Sequence, residues 1–131
     1  MSSVSIRPVS ELVAEANKRV PSIKAEEYNA SEASASDVLI DLRDIRERER
    51  EGFIPGSKHC PRGMLEFWAD PKSPYHKPFF DPSRTLTLYC ASGWRSALSA
   101  ATLIDMGFPQ VRHISDGFKG WKASGGPADA G

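Results

Sequence analysis

The 131-residue chain is 40% hydrophobic and 26% charged, a composition that excludes wholesale disorder and predicts a single domain over residues 1–131 with its own core. Its 17 basic residues cancel its 17 acidic ones, so no general attraction draws it to nucleic acid or to an acidic membrane. Met1–Pro8 lacks a leader-like apolar core and no run is long enough to span a bilayer, so the expected location is the cytoplasm, with Cys60 and Cys90 as thiols.

In chain order, Ser10 is expected to cap a helix over Glu11–Arg19 that places Leu12, Val13 and Ala16 on one side and ends before Pro21. Ser22–Lys24 reads as a short edge strand and Ala25–Ala33 as a second helix, broken by the Ser/Ala-rich stretch Ser34–Asp37. Val38-Leu39-Ile40 is a continuous apolar run stopped by Asp41, which suits a buried parallel strand. The charges of Asp41–Glu51 predict a solvated turn and short helix, and Gly52-Phe53-Ile54-Pro55-Gly56 forces a turn. Pro71, Pro74, Pro78 and Pro82 then punctuate a long irregular stretch holding Phe67, Trp68, Tyr75, Phe79 and Phe80, too aromatic to be loose.

Thr85–Tyr89 is the next strand, running straight into Cys90, a glycine-containing turn and a helix over Ser96–Met106 closed by Gly107. Val111–Ile114 reads as another strand and Phe118–Ala123 as a short last helix. Strands alternating with helices predict an α/β fold whose mainly parallel sheet is covered by helices on both faces. Ligands in such folds sit at the carboxyl ends of the strands, where Asp41 and Cys90 both fall.

The loop Cys90-Ala91-Ser92-Gly93-Trp94-Arg95-Ser96 sets a thiol between a strand end and a helix start, where backbone amides converge. A thiol of pKa about 8.5 is only a few per cent ionised at neutral pH, and amides with a guanidinium favour the anion. Lowering that pKa by about two units takes roughly 2.7 kcal/mol, which a helix terminus and an arginine can supply without a separate base. Gly93 permits the tight curl, and the planar fork of Arg95 matches the paired oxygens of an oxyanion. A strand-terminal cysteine taken alone is more often a small buried hydrophobe. The joint spacing of Cys90, Gly93 and Arg95 is what favours a nucleophile.

The same loop resembles the active-site loop of the rhodanese family, Cys-x-x-Gly-x-Arg followed by a small residue. Leu39-Ile40-Asp41-Leu42-Arg43, Gly52-Phe53-Ile54-Pro55-Gly56-Ser57 and Asp116-Gly117-Phe118-Lys119-Gly120-Trp121 match further motifs in the family's order, over about Val38–Pro127. The resemblance implies a five-stranded parallel sheet and a sulfurtransferase that needs no cofactor. By the same resemblance, sulfur would be carried as a Cys90 persulfide, from thiosulfate or a persulfide donor to a thiol, which can be a protein's, or to cyanide. It also implies that the amides of Ala91, Ser92, Gly93, Trp94 and Arg95 cradle the sulfur, that Arg95 binds the donor's oxyanion, and that Asp41 sits beneath the loop and orients it, with Arg43 and Ser96 in support. The six residues from Cys90 to Arg95 are similar to the sulfur-transferring branch; the related phosphatases and arsenate reductases use seven. A non-enzymatic sulfur carrier or protein-binding module is the third reading, and the retained cysteine argues against the silent modules.

Phe53 departs from the family's usual histidine, and the stretch between Asp41 and Gly52 is about one residue long, so Glu47 or Glu49 is the expected partner of a buried Arg43. The other arginines of this run are expected in solvent. Cys60 is expected as a small core residue rather than as a resolving thiol. Arg62, after the strand adjoining the site, reads evenly as a substrate-binding residue or a surface arginine, and Trp68 with Trp94 as an apolar wall. His59 and Cys60 are adjacent while His76 and His113 lie apart, so no zinc-ligand spacing appears and no metal is expected.

Overall fold

A computed structural model of the chain describes residues 4–33 and 36–130. Of the expected break at Ser34–Asp37, Ser34 and Ala35 lie outside these residues. The elements are α1 (Val9–Arg19), β1 (Ser22–Ile23), α2 (Ala25–Ser31), β2 (Val38–Asp41), α3 (Ile45–Glu51), β3 (Lys58–His59), α4 (Leu65–Ala69), β4 (Leu86–Tyr89), α5 (Trp94–Asp105), β5 (Val111–Ile114) and α6 (Gly117–Ala123). A 3-10 turn at Arg62–Met64 leads into α4.

Helix α1 begins two residues earlier than its sequence suggests, at Val9 rather than Glu11. Pro8, with φ of −68°, is the residue before the helix, and its carbonyl accepts from the amides of Glu11 and Leu12. Ser10 therefore lies inside the first turn and makes no capping bond. Helix α2 stops at Ser31 rather than Ala33, because Glu32 adopts the left-handed conformation with φ of 55°. The unforeseen helix is α4, whose five residues are too short a span for periodicity to reveal.

All strand pairs are parallel, in the order β1-β5-β4-β2-β3. Alternation along the strands divides the core into two layers. Val38, Ile40, Leu86 and Leu88 face α1, α4 and α5 and meet Val13, Ala16, Leu65, Ala97, Ala100 and Leu103. Leu39, Tyr89 and Ile114 face the other way and meet Ala25 and Tyr28 of α2 with Phe118 and Trp121 of α6. Helix α1 packs on α5 across one face, and α2 on α6 across the other.

The charged run around α3 is less solvated than its sequence suggests. Arg43 is wholly buried, and only 12% of the Arg48 side chain is exposed. The proline-rich stretch is ordered by its aromatics: Phe67 meets Tyr75 edge-on, Trp68 meets Phe79, and Phe79 stacks on Phe80, which touches Phe108. It lines a hollow of about 370 Å³ with Met106 and Phe108, which contains none of the Cys90 loop residues.

Candidate active site

Strand β4 is central in the sheet and fully buried, so the residue that follows it, Cys90, leaves the core at the carboxyl edge with 1% of its surface exposed. The chain must then turn at once into α5. Gly93 makes that turn with φ of 107°, and a side chain there would collide with the carbonyl of Ser115. The curl aims the Gly93 amide at the Cys90 Sγ, 3.2 Å away. Of the amides from Ala91 to Arg95, this is the one that reaches the sulfur.

Helix α6 holds the loop from beneath. The amides of Phe118 and Lys119 donate to the carbonyls of Cys90 (2.8 Å) and Ala91 (3.1 Å). Gly117, with φ of 62°, brings the two segments so close that a Cβ would lie 2.5 Å from the Ala91 carbonyl oxygen and 2.7 Å from that of Cys90. The Asp116–Trp121 motif thus carries a clamp that its sequence alone does not announce.

Behind Cys90 lies a row of polar groups that runs from the buried Ser96 and His113 out to the exposed Asn17. The thiol is 3.6 Å from Ser96 Oγ, which is 2.8 Å from His113 Nδ1, and His113 Nε2 is 3.1 Å from Asn17 Oδ1. Burial pushes the His113 pKa down to about 4. Neither Asn17 nor His113 carries a recognisable sequence signal, because α1 and β5 meet only in the fold.

Asp41 ends β2 directly opposite Tyr89, the residue before Cys90. Its carboxylate accepts from Arg43 Nε (3.0 Å) and Nη2 (2.9 Å), from Arg48 Nη1 (3.1 Å) and from the Tyr89 hydroxyl (3.1 Å). Burial opposes its ionisation, but the hydrogen bonds from Arg43 and Arg48 outweigh that and lower its pKa. Arg43 therefore pairs with Asp41 and not with Glu47 or Glu49. The Asp41 carboxylate is two residues away in sequence and already facing it, which leaves Glu47 free to meet Arg95. The Arg43 guanidinium also donates to the Gly52 carbonyl at 2.7 Å and lies over the Phe118 ring at 4.3 Å. Arg48 is a further member that charge patterning missed: it reaches Ser57 (3.1 Å) and stacks on Phe53 at 3.8 Å. Asp41 steadies the strand end and Tyr89 in this way; its hydrogen bonds go to these groups and not to the amides of the loop.

Arg95, in the first turn of α5, meets Glu47 Oε1 at 3.2 Å and keeps 38% of its side chain exposed. Ser92 and Trp94 are exposed and Ala91 is half-buried at the loop's outer surface. Trp68 is engaged with Phe79, and no ring contact joins it to Trp94 among the described residues. Arg62 pairs with Glu66 at 3.0 Å on the surface. Cys60 is fully buried, its Sγ 3.7 Å from the Pro61 carbonyl, and burial pushes its thiol up to about 12. Among the described residues no group of His, Cys, Asp or Glu is arranged to hold a metal ion, and no helix is long and apolar enough to cross a membrane.

The rhodanese-like domain family matches residues 24–124. Among solved structures, a protein of unknown function from Rhodopseudomonas palustris, described as a possible tyrosine phosphatase, is 46% identical. That match has a TM-score of 0.91 and covers 98% of this chain and 99% of the other. Thiosulfate sulfurtransferase from Pseudomonas aeruginosa is 31% identical with a TM-score of 0.73, covering 92% of this chain but 22% of that one. YrkF of Bacillus subtilis, named as a sulfur carrier protein, is 28% identical over 103 residues, 78% of this chain and 51% of its own. The chain spans about half the length of the curated relatives it matches.

Proposed function

The chain belongs to the rhodanese-like domain family, and within it we propose a sulfurtransferase that carries sulfur on Cys90. The observation that carries this reading is the Gly93 amide held 3.2 Å from Sγ by a turn that only glycine makes without strain. A thiolate there attacks the outer sulfur of thiosulfate: a bond forms between Sγ and that sulfur, the donor's sulfur–sulfur bond breaks, and sulfite leaves with the electron pair. A thiol or cyanide then attacks the terminal sulfur and returns the Cys90 thiolate. Arg95 is the group for the donor's oxyanion, since Glu47 occupies one edge of its fork and the rest is open. Ala91, Ser92 and Trp94 line the approach.

The relatives named for thiosulfate sulfur transfer and for sulfur carriage support this reading, as does the six-residue span from Cys90 to Arg95. We also propose that residues 1–131 act as one unit in the cytoplasm, with a small sulfur donor and a thiol, free or on a protein, as acceptor. The balance of 17 basic and 17 acidic residues supports a partner that is neither nucleic acid nor membrane. Arg62, paired with Glu66, is given no part.

The phosphatase reading is favoured by the Rhodopseudomonas palustris relative. One assay separates the readings: thiocyanate formed from thiosulfate and cyanide by the wild type and by Cys90→Ser, beside a phosphate-ester control. Sulfur transfer lost in Cys90→Ser with an inert ester is the expected result. Equal rates in the two proteins would remove Cys90 as the nucleophile, and turnover of the ester alone would make the protein a phosphatase. A carrier would show neither, but its intact mass would gain one sulfur atom.

A further inference from the structure

The row Cys90–Ser96–His113–Asn17 has a direction. Asn17 Oδ1 can only accept, so His113 Nε2 carries the ring proton and Nδ1 is bare. The Ser96 hydroxyl, with one proton to give, donates it to Nδ1 at 2.8 Å, and its oxygen is left to accept from the Cys90 thiol. The Gly93 carbonyl, 3.2 Å from Ser96 Oγ, competes for the same proton. This arrangement suits a thiol. Once Cys90 has given up its proton or taken on a sulfur atom, Sγ carries only lone pairs, and the Ser96 hydroxyl is a useful partner only if it turns its proton towards the sulfur. Nδ1 must then be the donor to Ser96.

Resting on the sulfur-transfer reading above, we propose that Asn17 and His113 are positioning residues whose hydrogen bonds reverse direction when Cys90 changes from thiol to persulfide. In the reversed state the Asn17 amide is turned over, its NH₂ donates to Nε2, Nδ1–H donates to Ser96, and Ser96 O–H donates to the sulfur. Two features make this reversal inexpensive. Ser96 and His113 are 0% and 1% exposed, so no water inside can take their place, while Asn17 is exposed and its other amide atom is met by solvent in either orientation. Beside the free thiol His113 is also neutral, since burial holds its pKa at about 4, and a neutral ring changes tautomer without adding a buried charge.

The test uses the whole chain with ¹⁵N-labelled histidine, whose ring nitrogen shifts distinguish the two tautomers, before and after incubation with thiosulfate, with intact mass recorded on each sample. The expected result is an Nε2–H tautomer in the free thiol and an Nδ1–H tautomer in the protein that has gained a sulfur atom. Asn17→Asp, whose carboxylate can only accept, should hold the Nε2–H tautomer throughout and slow persulfide formation by roughly tenfold, the size of one lost hydrogen bond to an anion. Asn17→Ala, which lets water take either role, should slow persulfide formation clearly less than Asn17→Asp does. An unmoved tautomer in protein that has gained the sulfur, or equal rates for the two Asn17 variants, would overturn the reversal alone. No gain of sulfur from thiosulfate would overturn the sulfur-transfer reading and the reversal with it.

Discussion

Glu47 and Arg95 meet at 3.2 Å across 48 residues of chain, joining the start of α3 to the first turn of α5. The contact is one-sided. Glu47 Oε2 is buried without a hydrogen-bond partner, and the guanidinium spends one nitrogen on Oε1. A carboxylate so placed holds the arginine in position and also competes with any anionic ligand for it.

Arg95→Ala should therefore raise the KM for thiosulfate at least tenfold while changing the use of an uncharged persulfide donor by less than about threefold. Glu47→Gln should act in the opposite sense, lowering the KM for thiosulfate severalfold, because the competing charge is gone. Steady-state kinetics with the two donors checks both, and equal losses for the two donors in Arg95→Ala would reduce that residue to a support of the loop.

Gly117→Ala should cost about 2 kcal/mol or more of stability, because the new Cβ would sit 2.5 Å from the Ala91 carbonyl oxygen at a φ of 62°. Urea denaturation measures the loss. Gly56→Ala makes the comparison, since Gly56 shares a positive φ of 82° but has open space around it, and it should cost only the backbone strain.

Stability should fall as pH drops from about 6.5 towards 4. Burial sets the folded His113 pKa at about 4 against 6.5 for an unperturbed ring, so in this window the unfolded chain binds a proton that the folded chain refuses. The contribution is complete above pH 6.5, and on the order of 1–2 kcal/mol of it is lost by pH 5. Urea midpoints of the wild type and His113→Gln at pH 7 and pH 5 test this: the wild type should lose stability between them and the variant should lose much less. Asp41, whose pKa is lowered, loses its contribution only in more acidic solution, below the ordinary carboxylate range.

Asp41→Asn should destabilise the fold by about 3–5 kcal/mol, since it leaves the wholly buried guanidinium of Arg43 without its counter-charge. Thermal melting checks this. Replacing Arg46, whose pair with Asp44 is exposed, by alanine should shift the midpoint little.

Much of this architecture was legible because its signals are local. Val38–Ile40 announces a buried strand by apolar continuity, and Cys90, Gly93 and Arg95 announce a strand-turn-helix by spacing within a single loop. Helix α4 escaped because five residues hold little more than one turn. The partner of Arg43 was misread because charge patterning cannot tell which of several nearby carboxylates points inward. His113 and Asn17, 96 residues apart, give no sign in the sequence at all. A histidine in a strand and an asparagine on a helix are ordinary until the sheet sets β5 beside β4 and α1 lies across α5.

The order β1-β5-β4-β2-β3 has a bearing on synthesis as well as on chemistry. The groups around Cys90 come from distant parts of the chain: Asn17 from α1, His113 from β5, Ser115 from the turn after it, and the amides of Phe118 and Lys119 from α6. A nascent chain that has emerged only as far as Arg112 already contains the thiol, Arg95 and Ser96. It lacks the ring behind Ser96, the carbonyl that confines Gly93 and the clamp beneath the loop. The thiol is thus set in its working surroundings only when residues 113–119 have docked against the loop.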